Sequence, residues 1–230
     1  MSRRGLLAGS VGAALVVAVI GAVVALGVNS SAPHSQAPAA SVPDGPVAAF
    51  YGDSFTLGTG AGDPSKRWST RISAERGWSE YNPSVNGLGF VNNRDVFGDG
   101  DLPALIIEQD PDIVFITMGL NDNFSYDFAA DEIEAQITSD LERISSALPD
   151  ARFIVVEPFW YARERPESVD VIIGWVRSAA GKIGADYIAG ASRWIEGEEE
   201  WMALDGLHPN DEGYAEMTRR MDGELQKLGL

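Results

Sequence analysis

Two short segments near opposite ends of the chain carry the residue types needed for nucleophilic catalysis. Gly52-Asp53-Ser54 follows an apolar run, which predicts that Ser54 lies on a tight turn where a buried strand ends. A serine hydroxyl becomes an effective nucleophile only when a nearby base takes its proton. His208 supplies such a base, and Asp205, three residues earlier, can accept a hydrogen bond from the ring and fix its tautomer. This combination predicts acyl transfer.

Each of these segments also has a simpler interpretation. Gly-Asp-Ser is a common turn sequence, and an isolated histidine is more often a structural residue than a catalytic one. Asp205 can equally form an Asx-turn with its own backbone. The chain contains two histidines, and His34 lies in a Ser/Ala/Pro-rich stretch, so His208 is the only histidine that a folded domain can offer.

Two further turns can supply donors to a developing oxyanion. Gly119-Leu120-Asn121-Asp122 follows a strongly β-branched run, and the Asn121 amide is a neutral donor. The segment NPSVNGLG, residues 82–89, contains two glycines whose backbone N–H can approach a bound oxygen. From the residues alone, either Gly87 or Gly89 can serve as this donor.

Taken together and in this order, the four segments resemble the blocks of the SGNH (GDSL-type) serine hydrolase family. The resemblance covers most of the chain between Gly52 and Asn210, and Phe55 departs from it because the GDSL variant has leucine there. It implies that Ser54 is the nucleophile, with His208 as base and Asp205 as its partner. It also implies an oxyanion hole formed by the Ser54 N–H, Gly87 and Asn121, and a reaction that needs no cofactor or metal.

The elements that must position these residues alternate along the chain. Apolar and β-branched runs predict strands at Val47–Tyr51, Ser79–Val85, Ile113–Met118, Arg152–Glu157 and near Tyr187. Amphipathic periods predict helices at Trp68–Arg76, Leu102–Gln109, Asp127–Leu148, Ser168–Ile183 and from an Asn210 N-cap to about Leu228. Alternation of this kind predicts a three-layer α/β/α sandwich around a five-stranded parallel sheet. The resemblance implies the flavodoxin-like form of this fold.

The N-terminus predicts export. Arg3 and Arg4 precede an uncharged run from Leu6 to Val28, and as a helix this run reaches roughly 35 Å, enough for a bilayer core of about 30 Å. We therefore expect residues 1–28 to be a signal-anchor, or a cleaved signal peptide. Residues 29–46 are expected to be a Ser/Ala/Pro-rich linker and residues 47–230 the hydrolase domain. The positive-inside rule then places this domain outside the cytoplasmic membrane, anchored or secreted.

The composition excludes several other classes. The formal net charge of −17 argues against binding to nucleic acid, because such a surface repels phosphate backbones. The chain has no cysteine, so thiol catalysis, disulfides and cysteine-ligated metals are excluded. We expect a monomer whose partners are small-molecule, lipid or carbohydrate esters.

Aromatic residues in the loops after the strands are candidates for the substrate pocket, namely Phe124, Trp160 and Tyr161, although core packing explains such residues equally well. Three functions remain open at this stage. The first is a serine esterase, and the second is an acyltransferase or carbohydrate O-deacetylase that uses the same site. The third is a binding domain that has lost catalysis, which the presence of all four blocks disfavours.

Overall fold

The computed structural model describes residues 45–98 and 100–230, which form a five-stranded parallel sheet. The strands are β1 (Val47–Tyr51), β2 (Ser79–Tyr81), β3 (Ile113–Ile116), β4 (Arg152–Val156) and β5 (Asp186–Ile188). They are arranged in the order β2-β1-β3-β4-β5, and every neighbouring pair is parallel. The predicted five-stranded parallel sheet is thereby confirmed. The predicted N-terminal apolar helix and nearly all of the linker lie outside the described residues.

Six α-helices accompany the sheet within the described part of the chain. They are α1 (Ser54–Leu57), α2 (Trp68–Arg76), α3 (Leu102–Gln109), α4 (Tyr126–Ala147), α5 (Glu167–Lys182) and α6 (Asp211–Lys227). The helices α2 and α6 contribute to one apolar cluster, and α3, α4 and α5 contribute to the other. The sheet lies between the two clusters, which gives the three-layer sandwich expected from the sequence.

Strand β1 shows why the sheet is covered on both faces. Ala48 and Phe50 belong to one apolar cluster, whereas Ala49 and Tyr51 belong to the other. Successive side chains of a strand point to opposite faces, so a strand that is buried on both faces must be apolar at nearly every position. This is the reason why the central strands appear in the sequence as continuous apolar runs.

The predicted second strand is longer than the observed one. It was expected to run to Val85, but β2 ends at Tyr81. Pro83 has no N–H to donate to a ladder. The side-chain amide of Asn82 instead donates to the Thr56 carbonyl at 2.8 Å and to Ser69 Oγ at 3.0 Å. The chain therefore leaves the sheet early and turns toward the loop that follows β1.

No helix within residues 45–98 and 100–230 is both long enough and apolar enough to cross a membrane.

Candidate active site

The site lies at the carboxyl-terminal edge of β1 and β3, which are neighbours in the sheet. In the sheet, β2 lies on one side of β1, whereas β3, β4 and β5 follow one another on its other side. Ligand sites of open α/β sheets form at such a switch point, beyond the carboxyl ends of the strands. Ser54 follows β1 and Asn121 follows β3, so the topology brings the two segments together.

The nucleophile turn is a single helical turn capped by the residue before Ser54. Asp53 is the N-cap of α1, and its Oδ1 accepts a hydrogen bond from the Phe55 backbone N–H at 2.9 Å. Ser54 is the first residue of α1 and is 4% exposed. The Trp68 indole N–H donates to the Phe55 carbonyl at 3.1 Å and so ties the turn to α2. The position of Ser54 is therefore fixed by the packing of the residues around it.

Phe55 explains the departure from the GDSL pattern. Its ring is fully buried and is stacked on Phe159 with 6.0 Å between the ring centroids. The Phe55 ring also packs against the His208 ring, at 5.8 Å between centroids. The phenylalanine therefore packs the nucleophile turn against the residue proposed as its base.

Asn121 is buried beside the nucleophile turn, and its side-chain nitrogen has two acceptors. It donates to the Leu88 carbonyl at 2.9 Å and to Asp53 Oδ2 at the longer distance of 3.4 Å. The first contact connects the loop after β3 to the loop after β2. The second connects the amide to the residue adjacent to Ser54.

The Asp122 side chain holds the loop that follows β2 in place. Its buried carboxylate accepts hydrogen bonds from the backbone N–H groups of Phe90, Val91 and Asn92 at 2.7, 2.9 and 3.2 Å. A Cβ placed on Gly89 would lie only 2.5 Å from Asp122 Oδ1, so this close approach requires glycine. Burial raises the pKa of Asp122, and the three backbone N–H groups work in the opposite direction.

The geometry favours Gly87 over Gly89 as a backbone donor. The Gly89 N–H already donates to the Asn92 carbonyl at 2.8 Å. Gly87 has a positive φ of 69°, and its carbonyl accepts from the side-chain amides of Asn92 and Asn93 at 2.8 and 2.9 Å. These bonds fix the orientation of the peptide groups around Gly87, and Asn86 beside it accepts a hydrogen bond from Thr59 of the nucleophile loop.

The base lies on a loop braced by its own backbone. His208 Nδ1 is 2.7 Å from Asp205 Oδ2, and Asp205 Oδ1 accepts from the backbone N–H groups of Leu207 and His208 at 2.9 and 3.0 Å. The Ala203 N–H donates to the His208 carbonyl at 2.7 Å, which closes the loop. Partial burial acts to raise the pKa of Asp205, but the hydrogen bonds from His208 and Leu207 outweigh it and hold the pKa below its ordinary value.

Two further contacts join the start of α6, which directly follows this loop, to the nucleophile loop. The Tyr214 hydroxyl donates to the Thr59 carbonyl at 2.8 Å. The Gly62 N–H donates to Asp211 Oδ1 at 2.7 Å. Residues separated by about 150 positions in the sequence are thus held side by side at the same edge of the sheet.

Asp53 is a second carboxylate at this edge, in a very different environment. It is 1% exposed, and burial raises its pKa to about 7, with the nearby Asp122 charge adding to the rise and the Phe55 N–H opposing it. The sequence interpretation gave Asp53 and Asp122 no role. An aspartate directly before a helical segment is a recognised N-cap signal, which would have indicated the capping contact but not the contact with Asn121.

The three aromatic candidates for the substrate pocket differ in exposure. Phe124 is 50% exposed. Trp160 is 4% exposed, and its indole N–H donates to the Glu164 carbonyl at 3.1 Å. Tyr161 is partly buried against Trp160, with 4.9 Å between the ring centroids. Trp160 therefore presents little surface to a substrate, whereas Phe124 and Tyr161 retain accessible surface.

Among residues 45–98 and 100–230, no group of three or more His, Asp or Glu side chains is arranged to hold a metal ion.

Comparison with known proteins assigns the chain to a family. Residues 50–216 match the family model described as the GDSL-like lipase/acylhydrolase family. The chain belongs to this family. A GDSL lipase of Mycobacterium tuberculosis is 27% identical over 180 residues, which cover 72% of this chain and 75% of that protein. This chain is accordingly a carboxylic-ester hydrolase that acts on small-molecule esters.

Solved structures share the fold at low sequence identity. The psychrotrophic esterase EstA from Pseudoalteromonas sp., in a structure inhibited by monoethylphosphonate, is 18% identical with a TM-score of 0.64 and covers 79% of this chain and 97% of that one. Axe2, an acetyl-xylooligosaccharide esterase from Geobacillus, is 20% identical with a TM-score of 0.60 and covers 81% of this chain and 95% of that one. Both likenesses concern the fold of this chain, and they support the three-layer α/β/α sandwich expected from the sequence.

Proposed function

We propose that this protein is an extracytoplasmic serine esterase that hydrolyses carboxylic esters through an acyl-serine intermediate. The observation that carries the proposal is the contact between the base loop and the nucleophile turn. His208 is hydrogen-bonded to Asp205 at 2.7 Å and packs on the Phe55 ring, and Phe55 is adjacent to Ser54. A nucleophile, a base and an orienting carboxylate on one sheet edge are the elements of a serine-hydrolase triad.

The mechanism starts with proton transfer to the base. His208 takes the proton of Ser54 Oγ through its Nε2, since Nδ1 is engaged by Asp205. The serine oxygen attacks the ester carbonyl carbon and forms a tetrahedral intermediate. His208 then gives the proton to the leaving alcohol, and an acyl-serine remains. Water, deprotonated by the same ring, attacks the acyl carbon, the bond from that carbon to Ser54 Oγ breaks, and His208 returns the proton to Oγ as the acid leaves.

The oxyanion of the tetrahedral intermediate is stabilised by the Ser54 and Gly87 N–H groups and the Asn121 amide. The positive φ of Gly87 and the two hydrogen bonds to its carbonyl support a fixed N–H direction. Burial of Asn121 supports a strong interaction, because hydrogen bonds to a developing charge are worth more where water is excluded.

The surface beside the base loop offers room for a substrate larger than a simple ester. A shallow open depression of about 590 Å³ is lined by Gly60, Met202, Ala203, Leu204, Asp205 and Asn210. An open depression beside the base loop is compatible with an acyl group carried by a larger alcohol. This observation supports the second candidate, a carbohydrate O-deacetylase or acyltransferase with the same catalytic residues. Product analysis with and without a sugar acceptor separates transfer from hydrolysis.

The decisive experiment is covalent labelling of Ser54 in the full chain. We expect a fluorophosphonate probe to label the wild-type enzyme, and p-nitrophenyl acetate or butyrate to be hydrolysed in the presence of EDTA. Ser54→Ala abolishes labelling and lowers the rate by up to about 10⁶-fold. Ser73→Ala is the matched control, since Ser73 is also buried and its hydroxyl has no hydrogen-bond partner among the described residues. Labelling that persists in Ser54→Ala contradicts the proposal.

The extracytoplasmic location rests on the uncharged run from Leu6 to Val28 after Arg3 and Arg4. Mass spectrometry of the N-terminus, combined with cell fractionation, tests it. An intact N-terminus in the membrane fraction indicates an anchor, and a shortened one in the medium indicates a cleaved signal peptide. Full-length protein in the cytosol contradicts both versions.

A further inference from the structure

Asp53 is a buried acid for which the mechanism above has no use. It is 1% exposed, and none of the described Lys, Arg or His side chains forms an ion pair with it. Burying a carboxylate without a basic partner costs free energy, and hydrogen bonds must compensate for it. A residue with the shape of leucine or threonine would avoid this cost. The carboxylate therefore requires an explanation from its contacts.

The two oxygens of Asp53 have different partners. Oδ1 accepts from the Phe55 N–H at 2.9 Å and caps the nucleophile helix, whereas Oδ2 lies 3.4 Å from the Asn121 amide nitrogen. A serine, threonine or asparagine caps a helix about as well as an aspartate. Capping therefore explains the first oxygen and leaves the second unexplained.

The Asn121 amide has two hydrogens, and both are directed by the protein. The Leu88 carbonyl holds one at 2.9 Å, and Asp53 Oδ2 attracts the other at 3.4 Å. The shorter contact is a full hydrogen bond, whereas the longer one is near the limit and is easily exchanged. Since Asp53 is adjacent to Ser54, the loosely held hydrogen points toward the nucleophile side of the site.

We propose that Asp53 is a positioning residue of the oxyanion hole, which together with the Leu88 carbonyl holds the Asn121 amide in the orientation needed to donate to the oxyanion. This inference rests on the assignment of Asn121 as an oxyanion donor in the proposed function. In the resting enzyme, the contact with Asp53 Oδ2 prevents the amide from rotating about its hydrogen bond to the Leu88 carbonyl. In the transition state, the oxyanion shares this N–H with Asp53 Oδ2, so the contact that orients the amide is retained while the charge develops. Pre-orientation of this kind removes reorganisation from the reaction step.

The test is a double-mutant cycle between Asp53 and Asn121 in the full chain. Asp53→Asn retains an acceptor for the Phe55 N–H, but its amide nitrogen then faces the Asn121 amide, so that two donors oppose each other. We expect kcat to fall about 10- to 100-fold, with KM within about twofold, because only a transition-state interaction is weakened. Asn121→Ala alone lowers kcat by about 10²–10³.

The combined variant distinguishes positioning from capping. If Asp53 acts through Asn121, adding Asp53→Asn to Asn121→Ala changes kcat by less than about twofold. If the two losses multiply, Asp53 acts independently of Asn121 and the inference is wrong. A wild-type kcat in Asp53→Asn contradicts it equally. Asp63→Asn is the matched control, since Asp63 also caps a turn, through the Ser65 N–H at 2.9 Å, and has no contact with Asn121 among the described hydrogen bonds.

A second variant guards against a folding defect. Asp53→Ser keeps a hydroxyl cap but is too short to reach Asn121, so its cycle with Asn121→Ala is expected to give the same non-additivity. The failure of the proposed function has a different signature: Asn121→Ala with an unchanged kcat, or Ser54→Ala with retained activity. If Ser54→Ala and Asn121→Ala both lose activity as expected, but the losses of Asp53→Asn and Asn121→Ala multiply in the combined variant, only the role of Asp53 is overturned.

Discussion

The candidate site contains two carboxylates, and their surroundings shift their pKa values in opposite directions. Asp53 is fully buried and its pKa rises to about 7, whereas the side chain of Asp205 is 46% exposed and its hydrogen bonds hold its pKa below the ordinary value. Desolvation penalises the charged form at the first residue. Local donors favour the charged form at the second.

The same contrast extends to the segments around them. The nucleophile side, which comprises Asp53, Ser54, Asn121 and Asp122, is buried between strands and loops that are distant in sequence. The base side is a loop from Trp201 to Asn210, braced by hydrogen bonds within itself. Substitutions on the nucleophile side should therefore change stability as well as rate. Substitutions on the base side should change the rate with little effect on stability.

The largest effect is expected for His208→Ala. Without a base, kcat should fall by about 10⁴–10⁶, as when a triad member is removed from a serine protease. The melting temperature should change little, because the His208 ring contributes mainly to the site. Stopped assays with p-nitrophenyl butyrate and thermal unfolding measure the two quantities. His34→Ala, at the chain's other histidine, is the control.

The pH profile provides a second check on the base. Only the neutral ring accepts a proton, so kcat/KM of the wild-type enzyme should rise with pH and then level off. A flat profile from pH 5 to 9, or an active His208→Ala, contradicts the assignment of the base.

A smaller loss is expected for Asp205→Asn. The amide keeps the shape of the side chain but removes the charge and can hold the wrong ring tautomer, a change that costs about 10⁴ in a serine protease. We expect a kcat reduction of about 10³–10⁴ with unfolding free energy within about 1 kcal/mol of wild type. A marked loss of stability would show that the base side is structural as well. Asp186→Asn, a partly exposed aspartate far from the site, is a suitable control.

Asp122→Ala should show the opposite pattern. It leaves the N–H groups of Phe90, Val91 and Asn92 without their acceptor, and each buried unsatisfied group costs about 1–3 kcal/mol. Since two of these three residues are only partly buried, we expect a stability loss of about 2–4 kcal/mol in denaturant unfolding. Asp95→Ala, an exposed position in the same loop, should stay near wild type. Equal stability of the two variants would contradict the described role of Asp122.

A further test of the contrast concerns the pH dependence of stability. Between the ordinary value of 3.8 and the folded value of about 7, Asp53 binds a proton in the folded state that it lacks in the unfolded state. The stability from this group is fully present below pH 4 and is lost as the pH rises through 7. The slope is at most about 1.4 kcal/mol per pH unit.

Asp53→Asn isolates this contribution. The wild type minus variant difference in unfolding free energy should decline from pH 4 to 7 and stay level above. A difference that rises with pH, or does not change, would show that Asp53 is not desolvated as described.

Ser54 and His208 could be proposed from the sequence because Ser54 follows a recognisable strand and His208 precedes a recognisable helix. The helices Trp68–Arg76 and Leu102–Gln109 have the predicted bounds, since they end at Gly77 and before Asp110-Pro111. The one-turn helix at Ser54 was not predicted, because four residues are too few to show a helical period. Its cap at Asp53 was the available signal.

The sequence by itself determined the order of strands and helices along the chain, the layer architecture and the segments proposed to carry the nucleophile, base and amide. These depend on local periodicity and turn chemistry, which neighbouring residues encode. Only the tertiary structure decided that the Gly89 N–H is already bonded to the Asn92 carbonyl, that Trp160 is buried, and that Asp53 contacts Asn121. Those contacts join residues 3 to 68 positions apart, and the distant ones exist only because parallel strands place their carboxyl ends at one edge.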